Sequence, residues 1–187
     1  EGKRSGASIA TRIDELLPDG WPKRPTWIVA VRTNDGRRIV FGRDDVAGTV
    51  GQATQASAAI PAFYTPVHIG GRSYVDGALH SSTNADLVAT LGFDLVIISS
   101  VKTATPDARS WRSDPERAWF SNKLDNELAE IRSTGTPAIV IEPDDTQLEL
   151  LASGERADAC LAGRLAAQRV LATSEGAGLR AIVEPAS

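Results

Sequence analysis

No methionine occurs anywhere in the 187 residues, position 1 included. The expectation is a chain that begins downstream of a natural translation start, as a truncated or processed piece. Cysteine is nearly as scarce, and Cys160 alone cannot form an internal disulfide. It sits among Ala and Leu on a helical pattern, which predicts a buried structural thiol rather than a nucleophile. The only histidines, His68 and His80, stand far in sequence from that cysteine, so no metal centre is expected. No Gly-rich sequence of the P-loop or dinucleotide type occurs, which removes the usual phosphate cradle of a nucleotide cofactor. No apolar run approaches the roughly 18 residues needed to cross a bilayer. Residues Glu1 to Arg12 also lack the apolar centre of a signal peptide. The chain is therefore expected to be soluble and cytoplasmic, with peripheral membrane contact as the variant. Excess positive charge is missing too. Twenty-four acidic against twenty basic residues leave a formal charge of -4, which offers no general attraction for nucleic acid or anionic lipid.

What is present is enough apolar content, 42%, for one domain with a sizeable core. Glu1 to Ala10 is polar and rich in Gly and Ser, and residues 1–12 read as linker-like, with the α/β domain occupying 13–187. Ile13, Leu16 and Leu17 predict a short helix over Thr11 to Leu17, closed by Pro18-Asp19-Gly20. Thr26 to Val31 reads as a strand buried on both faces, turned by Asn34-Asp35-Gly36 into a second strand, Arg37 to Phe41. Asp44-Asp45 can cap a small-residue helix from Val46 to about Ala59. Farther on, Ser81 to Asn84 supply caps for a helix through Leu91, and Phe93 to Ser100 has the pattern of a central parallel strand. A polar loop from Thr103 to Pro115 leads to a helix with Phe120, Leu124, Leu128 and Ile131 on one stripe. Ala138 to Ile141 is a strand, and helices follow at Asp145 to Ala152 and Glu155 to Thr173. Alternating strands and helices imply an α/β sandwich around a mostly parallel sheet.

The chain is organised around residues 59–86. Val67 to Val75 forms two short apolar-alternating runs joined by Gly70-Gly71, the pattern of a tight hairpin. Its second strand, Arg72 to Val75, ends in Asp76-Gly77, so a carboxylate is delivered where the strand stops and a glycine lets the backbone turn sharply behind it. A reacting carboxylate could stand there. Asp-Gly after a strand is equally an ordinary turn, and spacing alone leaves both readings open. His80, four residues on, reads as a loop or cap histidine rather than a base.

The pieces in order resemble a known family. Ala58-Ala59-Ile60-Pro61, the Gly-Gly hairpin, Tyr74-Val75-Asp76-Gly77-Ala78 and Asn84-Ala85-Asp86-Leu87 look like the second half of a patatin-like phospholipase domain. The resemblance runs from about Asp14 and weakens after Lys102. It implies a three-layer α/β sandwich with a mostly parallel central sheet, here as a single incomplete domain. It also implies a lipid or acyl-ester substrate, and Asp76 as the carboxylate of a Ser-Asp catalytic dyad that needs no histidine.

The serine of such a dyad needs a sharp strand-to-helix turn and backbone N–H donors for the oxyanion. Gly6-Ala7-Ser8-Ile9-Ala10 is the nearest imitation, but it has Ala where the second Gly belongs and no apolar strand before it, so Ser8 is not expected to serve. Ser57 reads as a packing residue of the small-residue helix. In patatin-like domains the oxyanion loop and serine elbow precede the region matched here, so the expectation is that this chain brings the Asp and not the Ser. Val29 and Ile97 would then border an exposed apolar sheet face or edge, covered by an N-terminal segment or by a second copy of the chain. Two other readings stand beside the hydrolase: a non-catalytic relative that binds lipid or a partner, and an enzyme of another class sharing only the hairpin.

Overall fold

A computed structural model of the chain describes residues 2–103 and 115–173. These divide into two compact units, Glu1–Ser81 and Ser82–Ser187.

The first unit is a four-stranded sheet with two helices. Its elements are α1 (Ala7–Leu16), β1 (Ile28–Arg32), β2 (Arg38–Phe41), α2 (Val50–Ser57), β3 (Val67–Ile69) and β4 (Arg72–Asp76). The strand order is β2-β1-β4-β3 and every pairing is antiparallel. This departs from a mostly parallel sheet, and connection length is the reason. Five residues join β1 to β2 and Gly70-Gly71 joins β3 to β4, whereas parallel neighbours need a crossover of about a dozen residues or more. Gly70 and Gly71 both have positive φ, 56° and 73°, as a type I′ hairpin requires. The core gathers Ala30, Ile39, Phe41, Ile69 and Tyr74 from the sheet with Ala53, Ala56 and Ala59 from the α2 region. The Phe41 and Tyr74 rings meet edge to face at 5.3 Å. Strand β1 is less buried than its sequence suggests: Ala30 and Val31 are buried, while Ile28 and Val29 are half-buried.

The segment read as a linker is built into this unit. Gly2 is buried, and a Cβ there would lie 2.2 Å from the Tyr64 carbonyl oxygen. The Arg4 N–H donates to the Phe63 carbonyl and the Thr65 N–H to the Arg4 carbonyl. Helix α1 begins at Ala7 rather than Thr11.

Helix α2 is shorter than expected and is capped by Thr49, not by Asp44 or Asp45. Thr49 and Gln52 form a reciprocal capping box, while Asp44 accepts the Val40 N–H (2.9 Å) and so folds back on β2. A second acid joins the cap. The Asp14 carboxylate on α1 accepts from the Thr49 hydroxyl and the Gly51 N–H, both at 2.8 Å, and so satisfies an orphan donor while tying one helix to the other. Asp14→Ala is expected to lower stability by about 1–2 kcal/mol, the scale of a lost N-cap, with Asp14→Asn recovering part of it. Urea denaturation of the two variants checks this.

The β1–β2 turn carries an ion pair that makes stability depend on acid. The Arg32 guanidinium bonds to the Asp35 carboxylate, and Asp35 also accepts the Arg37 N–H. The Arg32 hydrogen bond is the largest influence, and it holds the Asp35 carboxyl at about 2, below its ordinary 3.8. For Asp44, desolvation pushes the pKa upward but is outweighed by the Val40 N–H and Arg43, leaving it lowered. A carboxyl whose folded pKa is depressed adds stability that is fully present above its unfolded pKa and is lost as pH falls through the folded one. The Asp35 contribution should therefore be complete above about pH 4 and vanish toward about pH 2. Because the Asp35 carboxylate is exposed the effect is small. Urea midpoints of Asp35→Asn and wild type should differ at pH 7 and converge near pH 2.

The second unit pairs β5 (Val96–Ser99) with β6 (Ala138–Ile141) in parallel, connected through α3 (Pro115–Ser133). Helices α4 (Asp145–Ala152) and α5 (Arg156–Leu171) follow, with Asp144 and Gln147 forming the α4 capping box. The α3 stripe is buried as its spacing predicts: Phe120, Leu124, Leu128 and Ile131. Gly135, at φ 85°, follows it. Glu127 is buried in the same stripe. It accepts from the Thr83 hydroxyl and from the Ala85 N–H (3.0 Å), at the start of a 3-10 turn, Ala85–Val88, that stands where a longer helix was expected. Strand β5 alternates, with Val96 and Ile98 buried and Ile97 57% exposed, so among the described residues it is covered on one face only. Most of the polar loop predicted from Thr103 to Pro115 lies outside the described residues. Cys160 is exposed, contrary to expectation. Helix α5 buries only Ala162 and Ala166, and two residues at about 100° each carry Cys160 to nearly the opposite side of the helix.

Candidate active site

Strand β4 fixes where Asp76 stands. Its register against β1 pairs Ala30 with Asp76, Val31 with Val75 and Arg32 with Tyr74. The Asp76 N–H leaves that ladder to donate to the Ala59 carbonyl (3.1 Å), which binds the strand end to the Ala-Ile-Pro step. Beyond it the chain enters a 3-10 turn, Gly77–Leu79. Asp76 caps this turn: its Oδ1 accepts the Ala78 N–H at 2.8 Å. The other oxygen, Oδ2, has no hydrogen bond among the described residues. The carboxylate is half-buried, held at one oxygen and open at the other.

Gly77 is needed here for a reason the sequence does not reveal. Its backbone presses against β1, so that a Cβ would fall 2.4 Å from the Val29 carbonyl oxygen and 2.9 Å from its carbon. Close approach, rather than a left-handed turn, is what demands glycine.

Apolar side chains stand exposed on both segments that flank Asp76 in this arrangement. Ile60 (43%) and Phe63 (61%) belong to the turn after Ala59, and Leu79 (54%) to the turn after Gly77. That first turn places Ala62 at φ 69°, a left-handed conformation in which a Cβ is strained.

Residues 2–89 match the family of patatin-like phospholipases. The family is one of lipid-degrading hydrolases, and the matched residues contain the whole of β1 to β4 together with Asp76 and Gly77.

The other candidates fall away from a catalytic arrangement. Ser8 is exposed in the first turn of α1. Ser57 is the last residue of α2 and half-buried. His68 is exposed on β3 between the buried Val67 and Ile69. His80 ends the 3-10 turn, donating its N–H to the Gly77 carbonyl (3.0 Å). Among the described residues no group of three or more His, Cys, Asp or Glu could hold a metal ion. No helix among them is long and apolar enough to cross a membrane. Sequence reasoning missed the contacts that hold Asp76 in place, namely the Ala59 carbonyl and the Val29 approach. Both are backbone contacts between segments distant in the chain, for which periodicity gives no signal.

Proposed function

We propose that the chain is the Asp-bearing part of a lipid acyl hydrolase, with Asp76 as the carboxylate of a Ser-Asp dyad. The observation that carries this reading is the half-held carboxylate: Oδ1 is fixed by the Ala78 N–H while Oδ2 is left open at the end of a strand. A general base must be oriented yet have an acceptor lone pair to spare. Oδ2 would take the proton of a serine hydroxyl as that oxygen attacks the ester carbonyl. Collapse of the tetrahedral intermediate would expel the alcohol, and water, activated in the same way, would release the fatty acid. The hydroxyl comes from a residue other than Ser8 or Ser57, neither of which stands on a strand-to-helix elbow with oxyanion donors. Ile60, Phe63 and Leu79 are suited to the acyl chain or to a peripheral lipid contact, being exposed on the segments next to the carboxylate.

On this reading the patatin-like domain continues past residue 89 as one incomplete three-layer α/β domain, and the 187 residues by themselves do not turn over substrate. The deciding experiment measures hydrolysis of p-nitrophenyl acyl esters by the complete gene product and by its Asp76→Asn variant. Lipid binding without any hydrolysis by the wild-type gene product would replace this reading with a non-catalytic, lipid-binding one.

A further inference from the structure

The first unit holds a cleft of about 600 Å³ between residues 21–26 and 42–47, lying outside the Asp76 site. Its two walls are pinned together twice. The Trp21 indole N–H donates to the Gly48 carbonyl at 3.0 Å. Gly42, at φ 86°, packs so tightly that a Cβ would stand 2.2 Å from the Thr26 carbonyl oxygen. Pro22 and Pro25 restrict the intervening backbone further. The cleft is thus formed before any ligand arrives, which removes part of the ordering cost of binding.

Its charges are unevenly committed. Lys23 and Arg24 are exposed and have no ion pair among the described residues. The Arg43 guanidinium is oriented from two sides, by Asp44 through Nε (3.0 Å) and by the Trp27 ring, 5.5 Å below it. That leaves its terminal nitrogens without a hydrogen bond. Of the two carboxylates in the lining, Asp44 is taken up by Arg43 and by the Val40 N–H. Asp45 remains and opposes an anion. Three cations against two acids make this a locally positive concavity on a chain whose formal charge is -4.

We propose that this cleft is a phosphate-binding site, with Lys23 and Arg24 supplying exposed cationic donors and Arg43 an oriented one. A phosphate has oxygens in every direction and rewards donors that converge from several sides. The planar guanidinium matches two of those oxygens at once, and the lysine acts as a point charge. The phosphate could belong to a phospholipid headgroup or to a soluble phosphate ester, since the recognising chemistry is shared. The site is independent of the Asp76 reading and can fail or stand without it.

The test follows the Trp21 indole and Arg43 Nε–H signals of the 187-residue chain by ¹H–¹⁵N NMR during titration with inorganic phosphate. Both signals should shift saturably. K23Q/R24Q, which removes two exposed and unpaired cations, should fold normally and bind at least about tenfold more weakly. Asp45→Asn should bind more tightly. Shifts confined to other parts of the chain, no shift at all, or equal affinity in K23Q/R24Q would each overturn the proposal. Sedimentation with vesicles of phosphatidylcholine and phosphatidic acid then separates the sources. Vesicle binding lost in K23Q/R24Q assigns the site to a headgroup, and saturable phosphate shifts without vesicle binding assign it to a soluble phosphate ester.

Discussion

Replacing Asp76 by Asn in the complete gene product is expected to lower ester turnover at least about a hundredfold, the lower range for loss of a general base. Lipid affinity and the thermal midpoint should change little. Asn keeps the size of the side chain, and its amide oxygen can still accept the Ala78 N–H that holds Oδ1. What Asn cannot do is take a proton at the second position. The loss should appear in kcat with KM nearly unchanged, because the proton moves only as the ester is attacked. Wild-type turnover in Asp76→Asn would remove Asp76 from the chemistry.

Gly77→Ala should unfold the first unit more readily than any conservative change on its surface. The added methyl would sit 2.4 Å from the Val29 carbonyl oxygen, a backbone atom of a strand paired on both sides. Neither partner can retreat without breaking the β1–β4 ladder or the 3-10 turn. Overpacking of this kind costs about 1–3 kcal/mol, and the rigid backbone partner places it near the top of that range. Activity should fall with stability, since the same displacement drags Asp76 away from Ala59. A double measurement distinguishes the two substitutions: Asp76→Asn alters rate without the urea midpoint, whereas Gly77→Ala alters both. An unchanged midpoint in Gly77→Ala would show that β1 yields at Val29.

Local signals in the sequence were read well where one short stretch decides the outcome. The Gly70-Gly71 hairpin, the turn at Asn34-Asp35-Gly36, the α3 stripe and the bounds of β6 and α4 all depend on neighbours within a few residues. The α2 start lies four residues later than Val46, where Thr49 and Gln52 have the capping-box spacing that the Asp44-Asp45 reading overlooked. Asp44 was drawn elsewhere by the unpaired Val40 N–H, a demand visible only once β2 exists. The mostly parallel sheet was expected from the alternation of strands and helices along the whole chain, although the two hairpins read in the first unit already imply antiparallel neighbours. What the sequence did not show is that β4 also joins β1 antiparallel, which places both hairpins in one sheet. At the candidate site the position of Asp76 at a strand end could be read from the Asp-Gly pair. Its anchoring to Ala59 and the crowding at Val29 could not, since both arise from segments that meet only in the folded unit.

The exposed position of Cys160 on α5 has a practical use. It is the chain's one thiol, so a maleimide dye would attach at a single place, on the side of the helix away from Ala162 and Ala166. The label would leave the side chains of Asp76 and Lys23 themselves unmodified. Fluorescence anisotropy of such a conjugate would register docking onto vesicles or pairing with a second copy as slower tumbling, without any change to the residues under test.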